Sequence, residues 1–406
     1  EAFYQEGKQI LLLSYTNRAV DEISKALASI MPEVDFIRIG SELSCDEAYR
    51  SHLIENVLES CSTRREVQAR IARCRIFVGT VATLSSKTEL FRLKTFDVAI
   101  VDEATQILEP QLLGLLCHRN PAGGDAIGKF ILIGDHKQLP AVVLQSSEQS
   151  AVCDEALKDI GLHNLKDSLF ERLYRGLATH HQSPITNHCL DMLCRQGRMN
   201  VEVALFPNRA FYGGLLQPVG LPHQQGSLSL SSELSGCEFA GLLTRRVAFL
   251  SSEPEPSAQS AKMNHSEASM AARLAAAVYH QYSATTGFDP LSALGIITPY
   301  RSQIALIKKE IAALGIAVLN DVLVDTVERF QGSERDVIIY SFCVNRAYQL
   351  KFLANLTEEN GVQIDRKLNV ALTRARKQMF LIGVPQLLEL NPIYAELLKA
   401  TSDRHS

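Results

Sequence analysis

Residues 96–106 read FDVAIVDEATQ, an apolar run that ends in two adjacent carboxylates, Asp102 and Glu103. A short stretch of aliphatic residues without polar alternation is the pattern of a strand buried on both faces. In an open α/β sheet, ligands gather beyond the carboxyl ends of the strands, so this pair would be presented at a ligand crevice. The same pattern recurs at residues 10–13, 76–78, 130–133, 247–250, 295–297, 337–340 and 379–382, mostly separated by helix-length segments. That alternation predicts an α/β architecture of mainly parallel sheets covered on both faces. Residues 45–74 carry helical spacing instead, with Leu53, Ile54, Val57 and Leu58 on one face, and read as a helical insertion. The polar, Gly-, Ser- and Pro-bearing stretches 220–236 and 251–260 read as surface insertions.

A chain of 406 residues has room for two or three domains with real cores. Its 41 basic and 45 acidic residues leave a net charge of −4, so global charge points to no nucleic-acid or membrane partner. With 46% hydrophobic and 21% charged residues it is neither disordered nor collagenous. No apolar run approaches the roughly 18 residues of a membrane helix. The first residues lack the basic lead and cleavage site of a signal peptide. The expectation is an intracellular protein, cytoplasmic or nuclear. Nine cysteines, an odd number without repeated short spacing, fit reduced thiols better than a disulfide framework.

Adjacent carboxylates at a strand end suit phosphoryl transfer, in which one holds Mg²⁺ and the other orients and deprotonates the attacking water. About thirty residues on, FILI runs into GDHKQLPAV (134–142), where Gly134 permits a tight turn and Asp135 and Gln138 can hydrogen-bond a phosphate or water. Together these segments resemble motifs II and III of superfamily 1 helicases. Further segments follow in family order. LLLSYTNRAVDEI (11–23) resembles motif Ia, and VGTVATL (78–84) the next nucleic-acid motif. QGRMN (196–200) resembles motif IV, and ITPYRSQ (297–303) is similar to the one after it. VDTVERFQGSERDVII (324–339) resembles motif V and LNVALTRARKQMFLIG (368–383) motif VI. The resemblance spans almost the whole chain and is to the superfamily 1B group. Gly197 and Asn200 stand where the family pattern has Tyr and His.

The resemblance implies two RecA-like domains of the P-loop NTPase type. The first would cover residues 1–190, with the helical insertion at about 42–74, and the second residues 191–406. It implies a monomer that hydrolyses ATP with Mg²⁺, the nucleotide lying between the domains, and moves 5′ to 3′ on single-stranded DNA or RNA. Glu103 would be the base, Asp102 the Mg²⁺ ligand, Gln138 the γ-phosphate sensor, and Arg198 and Arg374 the arginine fingers. Asp135, Gln196, Gln331, Gly332 and Glu334 would lie on the nucleotide side. Thr16, Asn17 and Thr80 in the first domain, and Thr298, Tyr300 and Thr326 in the second, would meet nucleic acid. Arg376 and Lys377 would help order the motif VI helix.

No other constellation competes. Cys189 and Cys194, with His180, His181 and His188 nearby, lack a second pair at zinc-finger spacing, and Cys45, His52, Cys61 and Cys74 are irregular, so free thiols are expected. No G-x-x-x-x-G-K-[ST] occurs in residues 1–406. The nearest segment, GGDAIGK (123–129), runs into Phe130. The expectation is therefore a phosphate-binding loop upstream of Glu1, a 406-residue chain inactive on its own, and unpaired edges in the first sheet. Two rivals remain: an ATP-inactive nucleic-acid-binding or scaffolding module, and the helicase part of a helicase-nuclease.

Overall fold

Strand β1 (Ile10–Ser14) is the middle of a five-stranded sheet in the computed structural model, which describes residues 1–179, 189–255, 260–359 and 361–402. With β2 (Phe36–Ile39), β3 (Ile76–Thr80), β4 (Val98–Val101) and β5 (Phe130–Leu132) it forms a parallel sheet of order β2-β3-β1-β4-β5. Leu11, Leu13, Phe77 and Val101 fill one face while Ile10, Ile76, Val78 and Val98 fill the other. Both faces are dry, which is why these strands read as unbroken apolar runs. The sheet is contiguous, since β1 is paired on both sides, and the three-residue β5 is a half-buried edge.

Strand β2 is the one the apolar pattern misses. Its sequence FIRI places Arg38, 1% exposed, inside the sheet, where it is ion-paired with Asp21 and donates to Ser44 O at 3.2 Å. A buried guanidinium needs such partners. The stretch after β2 comprises two short 3₁₀ segments, the helix Ile54–Leu58 and the helix Arg64–Arg73. Thr63 and Glu66 cap the last of these reciprocally.

Contacts divide the chain into two compact units. One comprises Glu1–His136 with Pro140–Asp191, the other Lys137–Leu139 with Met192–Ser406. The tripeptide Lys137–Leu139 from GDHKQLP thus belongs to the second unit. Residues 180–188, and with them His180, His181 and His188, lie outside the described residues.

The second unit opens with a short parallel pair, β6 (Arg195–Gln196) and β7 (Gln217–Pro218). Its main sheet has the order β10-β9-β11-β14-β8, all parallel. The strands are β8 (Val247–Ser251), β9 (Leu294–Ile297), β10 (Leu323–Asp325), β11 (Arg335–Ser341) and β14 (Ala375–Gly383). β12 (Leu356–Glu359) and β13 (Val362–Asp365) form an antiparallel hairpin between β11 and β14. Ala268, Ala271, Ala272 and Ala275 of the helix His265–Ser283 pack with Ile296, Val337, Ile339 and Phe380 on one face. Residues of the helices Val201–Tyr212, Arg366–Leu372 and Pro392–Ser402 pack with Ile338, Tyr340 and Leu381 on the other. Among the described residues, no helix is long and apolar enough to cross a membrane.

Candidate functional site

In the first unit the carboxylates stand at the end of β4. The Asp102 N–H donates to Leu13 O at 2.8 Å and Ala104 N–H to Ile133 O at 2.8 Å, so the ends of β1, β4 and β5 are tied together. Glu103 lies in the left-handed region at φ 54°, ψ 37°, and its carboxylate accepts from Gln106 Nε2 at 2.7 Å. A non-glycine residue there costs on the order of 1–3 kcal/mol, and such strain concentrates at functional sites. Burial raises the Asp102 pKa, an effect the Glu103 backbone N–H partly offsets. Two hydroxyls adjoin the pair in sequence or register: Ser14 Oγ and Thr105 Oγ1 are buried without a hydrogen-bond partner. Gly134 belongs to the same end, because a Cβ there would stand 2.9 Å from Thr105 Cγ2 and 3.1 Å from Thr105 N. Any side chain at Gly134 would push the Asp135 loop away from the carboxylates. Residues 123–129 lead directly into β5 and join no helix.

In the second unit, Arg374 is 2% exposed and follows the helix Arg366–Leu372. Its Nε donates to Val370 O at 3.0 Å, and Nη2 donates to Thr373 Oγ1 and Gln138 Oε1, each at 3.1 Å. Gln138 is held against this arginine by its neighbours. Asn369 Nδ2 donates to Lys137 O at 2.8 Å, Lys137 Nζ meets Glu359 Oε2 at 2.9 Å, and Leu139 enters the core. Arg198 is more open: Nε pairs with Glu334 Oε2 at 2.8 Å and Nη1 approaches Thr373 O at 3.4 Å. The two arginines thus flank Thr373, with the loop 331–334 beside them. In that loop Gly332 takes φ +71°, Gln331 Nε2 is buried without a partner, and Ser333 O lies 3.5 Å from Arg374 Nη1.

Neighbouring motif residues are engaged in local contacts. Gln196 does not present its amide outward: Nε2 donates to Met199 O at 2.9 Å and Oε1 accepts from Met199 N at 2.8 Å, bracketing the turn that carries Arg198. His223 Nε2, 2.9 Å from Arg198 O, and Asn200, which caps the helix Val201–Tyr212, brace the same turn. Arg376 and Lys377 lie on β14 and not on a helix, where Arg376 reaches Glu334 and Asp336 at 3.5 Å and Lys377 pairs with Asp336 at 2.7 Å.

The residues expected to meet nucleic acid fall into two groups. Thr16 and Asn17 are exposed at the start of the helix Asn17–Ile30, with Thr16 Oγ1 accepting from Ala19 N. Thr326 is half-buried beyond β10, and its N–H donates to Asp325 Oδ1. Thr80 and Thr298 offer no open hydroxyl. Thr80 is 6% exposed and caps the helix Val81–Ser85. Thr298 is fully buried, its Oγ1 unpartnered, and lines a cavity of about 20 Å³ with Tyr340, Glu328 and Lys367, room for a single water. Tyr300 is half-buried and its hydroxyl accepts from Gln349 Nε2 at 3.3 Å.

A second strained residue was not legible in the sequence. Cys343, just past β11, has φ 50°, and its N–H donates to Glu267 Oε2 at 2.8 Å. Glu267 is fully buried and also accepts from Ser341 Oγ at 2.7 Å, and burial pushes its pKa up to about 7. Cys45 and Cys74 are buried free thiols and Cys61 a half-buried one. Among the described residues, no three His, Cys, Asp or Glu side chains are grouped to hold a metal ion.

Two domain-family models match parts of the chain. One AAA domain family matches residues 165–386, more than half of the chain, and a second AAA domain family matches residues 60–146. The chain is 27% identical to the DNA replication ATP-dependent helicase/nuclease DNA2 of Bos taurus, over 99% of this chain and 35% of that protein. It is 28% identical to the DNA replication ATP-dependent helicase/nuclease JHS1 of Arabidopsis thaliana, over 100% of this chain and 27% of that protein. To the DNA polymerase alpha-associated DNA helicase A of Saccharomyces cerevisiae it is 25% identical, over 94% of this chain and 59% of that protein. The chain spans about a third of the length of the helicase/nuclease relatives it matches. Among solved structures, an arterivirus nonstructural protein 10 helicase with DNA covers 94% of this chain and 56% of its own at 13% identity, TM-score 0.41. Matched over more than half of its length by the first of these models, the chain belongs to the AAA domain family.

Proposed function

We propose that this chain is the motor part of a helicase that hydrolyses ATP while moving along a single strand of nucleic acid. The observation that carries the reading is the strained backbone at Glu103, which aims a carboxylate beyond the end of a buried strand beside Asp102. Glu103 accepts the proton of the attacking water, and its hydrogen bond from Gln106 fixes the orientation. The donor set fits Mg²⁺: two carboxylates and two buried hydroxyls without a partner stand at one end of a parallel sheet. Asp102 would hold Mg²⁺, which when bound neutralises phosphate charge.

Arg374 and Arg198 meet the charge that spreads over the transferred group. Guanidinium forks match phosphate geometry in a way an ammonium does not. Glu334 holds Arg198, so a competing anion has to displace that partly exposed pair. Gln138, bonded to Arg374, is assigned the sensing of the γ-phosphate. Asp135, Gln331 and Gly332 are assigned to the nucleotide, and Thr16, Asn17, Tyr300 and Thr326 to the strand, with 5′ to 3′ polarity. Thr80 and Thr298 act by shaping their loops. Single-stranded DNA is the first substrate to test, since the relatives above are named for DNA helicases.

The test is ATP hydrolysis by the full-length protein with and without single-stranded oligonucleotide. Stimulation by the single strand is expected, together with binding that weakens steeply with salt as phosphate contacts release counterions. Hydrolysis indifferent to nucleic acid, or salt-insensitive binding of one short sequence only, would contradict the reading.

A further inference from the structure

Among the described residues, the exposed Tyr and Phe side chains are Tyr15 at 38%, Tyr348 at 52% and Phe352 at 65%. Tyr15 sits inside the SYTN segment. The other two form a pair of their own in the second unit, with ring centroids 6.4 Å apart at 84°. They lie four residues apart on a short helical stretch, 3₁₀ over Ala347–Gln349 and α over Leu350–Leu353, so they share one face. Gln349, Leu350 and Leu353 point inward and leave Tyr348, Lys351 and Phe352 outside. Exposing two large aromatic rings side by side is unfavourable unless something covers them.

The surroundings point to the chemistry of that cover. No carboxylate occurs between Cys343 and Thr357, whereas Arg346 and Lys351 are both exposed. The platform is joined to Tyr300 through Gln349, whose Nε2 donates to the Tyr300 hydroxyl at 3.3 Å and to Ala261 O at 2.8 Å. Lys262 Nζ lies 5.9 Å from the centre of the Tyr300 ring, and Arg301 is exposed beside it. Gln349 Oε1 also accepts the N–H groups of Asn345 and Arg346, at 2.9 and 3.0 Å, so the turn that bears the rings is held from within. Aromatic rings interleaved with cations form the surface on which unpaired bases stack while their phosphates are neutralised. A protein partner would be met by the rings alone, whereas basic side chains interleaved with the rings match the phosphates of a strand.

We propose that Tyr348 and Phe352, flanked by Arg346 and Lys351, form a base-stacking platform that extends the single-strand track beyond Tyr300. The inference rests on the nucleic-acid reading above and adds a site to it. Base stacking tolerates any sequence and any sugar, so the platform adds grip without specificity.

The chain contains no tryptophan, so Phe352→Trp creates its only indole. In the full 406-residue chain, indole emission of Phe352→Trp should fall on titration with oligothymidylate, while anisotropy of a labelled oligonucleotide reports binding separately. Phe352→Ala should weaken binding by about 5- to 150-fold, and Tyr348→Ala similarly. Lys351→Ala should lower the salt dependence by about one phosphate contact. Binding by anisotropy with unchanged indole emission, and with Phe352→Ala at wild-type affinity, overturns the platform but leaves the helicase reading standing; the rings would then belong to a protein contact. Absence of oligonucleotide binding altogether would overturn both.

Discussion

Replacing Glu267 by Gln tests how the second unit is held together. The carboxyl is fully buried beneath β11 and accepts hydrogen bonds from Ser341 Oγ, Cys343 N and, at 3.3 Å, Ser252 Oγ. Burial raises its pKa from 4.5 to about 7, so between those values the folded chain keeps a proton that the unfolded chain has lost. Stability is therefore greatest below pH 4.5 as far as this group is concerned, and declines as pH rises through 7. A shift of this size corresponds to about 3 kcal/mol in total. Glutamine has no proton to lose. Its Oε1 can accept from Ser341 and Cys343, and its Nε2 can donate to Ser252 Oγ. Glu267→Gln should thus match wild type near pH 5 and be more stable by about 3 kcal/mol at pH 8. For a unit of this size that is a rise of very roughly 6–12 °C in Tm. Scanning calorimetry from pH 5 to 8 reads this as a change in one of two transitions. A variant whose Tm follows the wild-type pH dependence, or is lowered at every pH, would refute the reasoning.

Other substitutions separate chemistry from stability. Arg198→Ala, at a partly exposed pair, should slow hydrolysis at least about 10²-fold with little change in Tm. Arg374→Ala should slow it as much and also lower Tm, because Val370 O and the Gln138 amide lose a buried donor; a loss confined to ATP affinity in either case would make them ground-state ligands. Arg172→Ala should destabilise the first unit by about 3 kcal/mol, since it strands Glu109, 6% exposed, whose two oxygens accept from Arg172 at 2.6 and 2.7 Å. Urea denaturation reads that loss, and a change below about 0.5 kcal/mol would show the pair to be dispensable.

What the sequence reveals and conceals follows from physical range. Strands buried on both faces, such as β1, β4, β11 and β14, announce themselves because every side chain must be apolar. β2 hides because Arg38 is tolerated there through Asp21 and Ser44 O, contacts that no apolar pattern reports. The hairpin β12–β13 hides because LTEE and VQID mix polar residues into half-exposed strands. The carboxylates at the end of β4 were readable from the strand that precedes them. Their left-handed geometry, the bracketing role of Gln196 and the burial of Thr298 depend on contacts that no local pattern encodes. The platform had a local signal that went unread, Arg346, Tyr348, Lys351 and Phe352 within RAYQLKF, where aromatic and basic residues alternate around one helical face.

The central claim is that Glu103 is the base of an ATP-hydrolysing motor. The direct measurement is single-strand-stimulated ATP turnover by the full-length protein, wild type against Glu103→Gln, with nucleotide affinity measured in parallel. The amide preserves shape and the contact with Gln106 but cannot take the proton, so turnover should fall at least about 10²-fold while ATP still binds. Turnover at the wild-type rate in Glu103→Gln would contradict the account.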